Sequence, residues 1–222
     1  MPARLNLMNI LQSINPYRLV QILKLLACVL IVRVTVAIVL NYHNYLPPDF
    51  TSEFLQERES YFFGSYRWAF YTHIFSGPYT LLLSLVLVSD RFRSRYLRLH
   101  RILGRVQVVC VLFFVVPSGL WMAFYADSGV IAVSGFASLA IATGTCVAFG
   151  FRAVLRRRFT AHRRWMWRTS LLLCSAVVLR IIGGIVTVLG LSAEWTYPMA
   201  AWISWLIPLI AFECFERTWK KV

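Results

Sequence analysis

The stretch 161–190, AHRRWMWRTSLLLCSAVVLRIIGGIVTVLG, decides the fold. Its basic, tryptophan-bearing head gives way to an apolar run of about 20 residues, the length at which an α-helix crosses the hydrocarbon core of a bilayer. Arg180 sits inside that run. His162 and Arg180 are separated by five helical turns, so an unbroken helix places both on one face, about 27 Å apart. Thr169, Ala176, Gly183 and Thr187 share that face and make it smaller and more polar than the rest. A helix that meets only lipid gains nothing from such a stripe, whereas one that lines a site or packs closely on neighbours does.

The whole chain has the same character. Its 222 residues are 59% hydrophobic and only 14% charged, against about 25% charged for a soluble domain, which makes it a polytopic membrane protein. A net charge of +14 raises the question of nucleic acid. The basic residues, however, fall in short loops between apolar spans, where they set topology and meet anionic lipid of the inner leaflet rather than DNA or RNA. Cys28, Cys110, Cys146, Cys174 and Cys214 all lie in apolar runs, with no C-x-x-C among them, so neither a disulfide framework nor a zinc site is indicated. The basic N-terminus precedes an apolar run that is too long for a signal peptide and contains Arg33, and it reads as a retained first helix.

Six spans fit the bilayer: 20–42, 68–88, 102–125, 130–151, 169–189 and 199–215. One side collects Arg4, Arg18 and Lys24, the arginines between Arg91 and Arg105, those between Arg152 and Arg168, and Arg217, Lys220 and Lys221. The other holds Asp49, Glu53, Glu57, Glu59, Asp127 and Glu194, opposed only by Arg58 and Arg67. The positive-inside rule then puts both termini in the cytoplasm. The outer loop 43–67 is the only long one. Leu46-Pro47-Pro48 ends the first helix, and Phe54, Tyr61, Phe62, Phe63, Tyr66 and Trp68 predict an amphipathic segment lying in the outer interface. Trp121, Tyr125, Trp195 and Tyr197 extend an outer aromatic belt, while Trp165, Trp167 and Trp219 mark an inner one. No linker or low-complexity segment interrupts the chain, so residues 1–222 read as one all-α domain.

An internal echo arranges the spans. RYLRLHRILGR (95–105) and RRFTAHRRWMWR (157–168) each join an outward-to-inward span to an inward-to-outward one. Superposing His100 on His162 pairs the second and third spans with the fourth and fifth. The expected core is a four-helix up-down bundle of spans 2–5, flanked by spans 1 and 6, with the third and fifth diagonal and parallel.

That arrangement brings His100 and His162 to one depth across the bundle axis, a scaffold suited to bis-histidine haem b. Arg101, Arg105, Arg163 and Arg168 would repel a bare divalent cation but pair with haem propionates, and Gly104 and Ser118 leave room for a flat ring. The competing reading is a pair of interfacial histidines in lipid-contacting loops. Arg33 and Arg180 share a second depth, near mid-span, with no span-centre carboxylate to pair them. They suggest an anionic or carbonyl-bearing ligand, or else guanidinium groups bonded to backbone carbonyls. On the second span His73, Ser76, Gly77, Thr80 and Ser84 form a polar stripe. His73 could complete, with Arg33 and Arg180, a pocket for a quinone or similar carbonyl compound, or simply bond to a neighbouring helix. Pro117-Ser118-Gly119 should kink the third span. The small residues Ser134, Gly135, Ser138, Ala142 and Thr145 should let the fourth pack closely. No nucleophile elbow, Walker loop, HExxH or carboxylate pair is present, which argues against hydrolase or ATPase chemistry.

His73, LHRILGR (99–105), PSGLWMA (117–123), Gly135-Phe136, HRRWMWR (162–168) and Leu179-Arg180 together resemble the bacterial membrane family known as domain of unknown function 2306, over residues 68–190. The resemblance implies an integral protein of bacterial inner-membrane type and brings no activity with it. The arrangement is more loosely similar to six-helix transmembrane cytochromes b, which carry two histidine pairs where this chain offers one pair and an isolated His73. Two functional readings follow. One is a haem b electron carrier with a quinone-like partner; the other is a cofactor-free carrier or receptor for an anionic or lipid ligand.

Overall fold

A computed structural model describes residues 16–219 apart from Glu53 and Ser192. Arg4, Glu53, Lys220 and Lys221, used above to assign sidedness, lie outside the described residues, as does the Trp219 side chain. The chain is an all-α membrane protein, and among the described residues six helices are long and apolar enough to cross a membrane: Arg18–Asn44, Glu59–Leu87, Leu97–Ala123, Gly129–Leu155, Phe159–Val188 and Thr196–Arg217, the first to sixth spans. Among the described residues there is no strand, only an isolated bridge between Tyr45 and Pro48.

The second span packs on the third and fifth, and the fourth packs on the same two, which closes a ring with the third and fifth diagonal. The sixth lies against the fourth and fifth. The first touches the second and fifth and is the most exposed, with 6% of its apolar window buried. Lipid is as apolar as leucine, so helices associate in a bilayer through close fit rather than the hydrophobic effect. The fourth span shows this. A Cβ on Gly135 would stand 3.1 Å from Ala201 and Trp202, and one on Gly150 would stand 3.2 Å from Trp165. Thr145, expected in that packing face, is exposed. Leu81, Val108, Val111, Val115, Val147, Leu173 and Val177 fill the ring.

Two helices depart from the straight expectation. The fifth span breaks at Cys174 into Phe159–Leu173 and Ser175–Val188. Just before the break, Thr169 and Ser170 turn their hydroxyls onto the carbonyls of Trp165 and Met166, 3.0 Å each, a back-bonding pattern that bends helices. The uniform stripe from His162 to Thr187 is therefore not kept. Thr169 is buried, the Cβ position of Gly183 meets nothing within 4 Å, and Thr187 is exposed. In the third span a π-turn at Val111–Val115 precedes Pro117 and helix resumes over Val116–Ala123. The wider turn accommodates the amide that proline lacks.

The loop after the first span does not lie flat in the interface. It folds over the end of the bundle as a cap in which Tyr45, Leu55, Phe62, Tyr66 and Phe70 pack together, with Leu55 and Phe62 fully buried. Phe63 and Trp68, 58% and 68% exposed, keep the interfacial role. Arg58 pins the cap. Its guanidinium donates to the carbonyls of Phe54 (2.7 Å) and Tyr125 (2.9 Å), to the Tyr61 hydroxyl (3.1 Å) and to the Asp127 carboxylate. It also lies 4.8 Å above the Phe54 ring. Burial works against its charge, but Tyr66, Asp127, Tyr61 and Tyr197 outweigh that and hold its pKa above the ordinary arginine value. Nearer the loop's start, two bonds from Thr51 keep the Asp49 carboxyl below the usual carboxylate range.

Candidate functional site beneath the cap

Under the cap, inside the ring, lies a cavity of about 270 Å³. It runs from Arg58 and Tyr66 in the cap down to Leu81, Thr143, Leu172 and Ser204, roughly 20 Å by the helical rise between Tyr66 and Leu81. Prolines shape its wall. Pro78 has no amide, so the Ile74 carbonyl lacks its helical partner; the Tyr42 hydroxyl donates to that carbonyl and ties the first span to the second. The Tyr71 hydroxyl donates to the Tyr45 carbonyl at 2.8 Å and fixes the cap to the same helix. At the deep end Pro208 likewise deprives the Ser204 carbonyl of its amide. The Ser204 hydroxyl, 1% exposed, has no partner among the described residues. The Ser175 hydroxyl, also on the wall, makes no hydrogen bond among the described residues.

His73 and Arg180 give this apolar space its polar pole. Ser118 donates its hydroxyl to the Phe114 carbonyl, so its oxygen accepts from His73 Nδ1–H at 3.1 Å. The tautomer assigned on that basis makes Nε2 the acceptor nitrogen, and the Val115 backbone carbonyl also stands against the imidazole. Gly119 makes room for the ring: a Cβ there would stand 3.0 Å from His73 Cε1 and 3.3 Å from Nδ1. Arg180 lines the cavity and donates one long bond, 3.3 Å, to the Ala176 carbonyl. Among the described residues four of its five N–H groups are left over, and no Asp or Glu lines the cavity. Arg33 is exposed on the first span and does not line it. Of the three residues expected to share a pocket, the structure brings together two.

His100 and His162 lie at the opposite, basic end of the bundle, within electrostatic reach of each other and off the cavity wall. His162 Nδ1 bonds the Gly150 carbonyl at 2.8 Å, whereas His100 Nδ1 is buried with no partner among the described residues. Two of the four expected propionate clamps have protein partners. Arg168 holds Glu213 in a two-pronged pair (2.5 and 3.0 Å) and stacks 4.7 Å over Trp165, while Arg163 bonds Asp90 at 2.7 Å. Arg101 and Arg105 are exposed. Among the described residues no three His, Cys, Asp or Glu side chains gather as a metal-binding set.

Sequence reasoning passed over Tyr42, Arg58, Ser175 and Ser204. Pro78 and Pro208 were the available signal, since a proline inside a span frees the carbonyl four residues earlier and calls for a substitute donor.

The profile of DUF2306, a family of predicted membrane proteins, matches residues 70–215. The chain belongs to this family. No curated protein and no solved structure matches it, and the looser likeness to cytochromes b has no counterpart among these findings. The DUF2306 match extends past the likeness seen in the sequence to take in the sixth span. It contains His73, Ser118, Arg180 and Ser204, while Tyr42 and Arg58 precede it.

Proposed function

We propose that this DUF2306 protein is a membrane-embedded carrier or receptor for a small, mostly apolar molecule with an anionic or carbonyl oxygen at its polar end. The observation that carries this reading is Arg180: among the described residues, a guanidinium with four unspent donors in a cavity lined by no carboxylate, facing the same space as His73. An arginine held at membrane depth with one long backbone bond is costly, and a ligand oxygen would offset that cost. His73 Nε2 complements it by accepting from a hydroxyl. A quinol or quinone headgroup and a single-chain fatty acid both offer this chemistry. By the positive-inside rule the basic end faces the cytoplasm, with both termini, and the cap faces outward from a bacterial inner membrane.

The test is thermal stability of detergent-purified protein with and without decyl-ubiquinol and, separately, laurate. At least one should raise the melting temperature of the wild type and leave Arg180→Gln unmoved. Equal responses of the two proteins, or none to either compound, would refute the assignment.

A second reading, haem b between His100 and His162, has one observation in its favour. The His162 Nδ1 bond to Gly150 orients the ring and leaves Nε2 free, as in an axial ligand. His100 lacks such an orienting bond, and Arg168 is engaged elsewhere. Bound haem would supply one-electron transfer. Protein from haem-replete cells should then show a Soret band that is lost in His100→Ala and in His162→Ala, and a colourless preparation ends this reading.

A further inference from the structure

Resting on the ligand reading above, we infer that the cavity is loaded sideways from the bilayer, along the cap-side half of the fifth span. The occupant is a membrane-dissolved, single-tailed amphiphile, and the aromatic cap seals the site from water.

The cap is shut by contacts from separate parts of the chain. Arg58 is 5% exposed and bonds to the loop between the third and fourth spans through Tyr125 and Asp127. Tyr61 stacks on Tyr125 with ring centroids 4.9 Å apart, and Tyr66 meets the same ring edge-on at 4.9 Å. A charged solute arriving from water would have to break this cluster.

The side is different. Ala176 and Arg180, one helical turn apart, line the cavity and are also exposed. Beyond them the Cβ positions of Gly183 and Gly184 meet nothing within 4 Å. The first span alongside is the least buried of the six. Arg180 therefore stands at a lateral threshold, both lining the cavity and exposed at its side. A cavity of about 270 Å³ falls just below the range usual for drug-sized ligands. It accommodates a headgroup or one chain but not a two-chain phospholipid, so the remaining tail would leave through the side into lipid.

The test uses full-length protein in liposomes with its native cysteines replaced by serine or alanine, carrying Ser175→Cys or, as a second reporter, Ser204→Cys. Each is treated with a charged, water-soluble methanethiosulfonate and with an uncharged, lipid-soluble maleimide. The maleimide should modify the cavity cysteine at least tenfold faster relative to each reagent's rate on a fully exposed thiol, and adding Arg58→Ala should speed the charged reagent severalfold. Comparable relative rates with the cap intact, no effect of Arg58→Ala, or no reaction of either reporter with either reagent would overturn the route. Decyl-ubiquinol or laurate should protect the cysteine. If the rates follow the expected pattern but neither compound protects, the ligand reading fails while lateral access stands.

Discussion

Arg58 and Arg180 line one cavity and differ in how their charge is met. Among the described residues Arg58 has four hydrogen-bond partners and a ring beneath it, whereas Arg180 has a single long bond to a carbonyl of its own helix. The first is a structural clamp, and the second is the group proposed to meet a ligand oxygen. Because hydrogen bonds to charged groups contribute about 1.5–3 kcal/mol each, Arg58→Ala should destabilise the protein by about 3 kcal/mol. Arg58→Lys should recover little of this, since an ammonium cannot span the same fork of acceptors. Melting in a fixed detergent measures both, and an unshifted Arg58→Ala curve would refute the clamp. Arg180 was legible from sequence because a charge inside an apolar run stands out. Arg58 was not: it sits in a loop that reads as an interfacial segment, and its carboxylate partner lies 69 positions away.

At the scale of helices, a missing amide in one span is answered by a hydroxyl from another. Tyr42→Phe should cost about 1 kcal/mol by leaving the Ile74 carbonyl bare. In a Pro78→Ala background, where the restored backbone amide can serve that carbonyl, the same change should cost less, and this non-additivity is the signature of coupling. Equal costs in both backgrounds would show that the Tyr42 bond has another basis. Gly119→Ala tests the His73 seat. A methyl 3.0 Å from Cε1 displaces the ring, so the ligand-induced melting shift should shrink more than basal stability does. The six spans were readable because apolar length alone sets them. The break at Cys174 was not, because it depends on where Thr169 and Ser170 send their hydroxyls. The cap was misread because aromatic density is the same for an interfacial segment and a packed one. Long-range contacts such as Tyr71 to Tyr45 and Arg58 to Asp127 decide between them.

For the whole molecule, the ring of spans 2–5 with diagonal third and fifth helices follows the echo of His100 on His162, so the arrangement was legible from an internal repeat. The cavity was legible only in part. His73 and Arg180 announce themselves by residue type, but the depth, closure and serine-bearing end arise from packing among all six spans and the cap. Sidedness carries its own prediction: cysteines placed at Thr51 should react with an impermeant thiol reagent added outside cells, and cysteines at Phe159 should not. The reverse pattern would invert the orientation. The central claim is that Arg180 holds a ligand oxygen, and native mass spectrometry of protein extracted in mild detergent tests it most directly. The wild type should carry a small-molecule adduct, one per chain, that Arg180→Gln lacks at equal folding. A wild type with no adduct after extraction and after incubation with decyl-ubiquinol or laurate, or an Arg180→Gln protein with the same adduct, would contradict it.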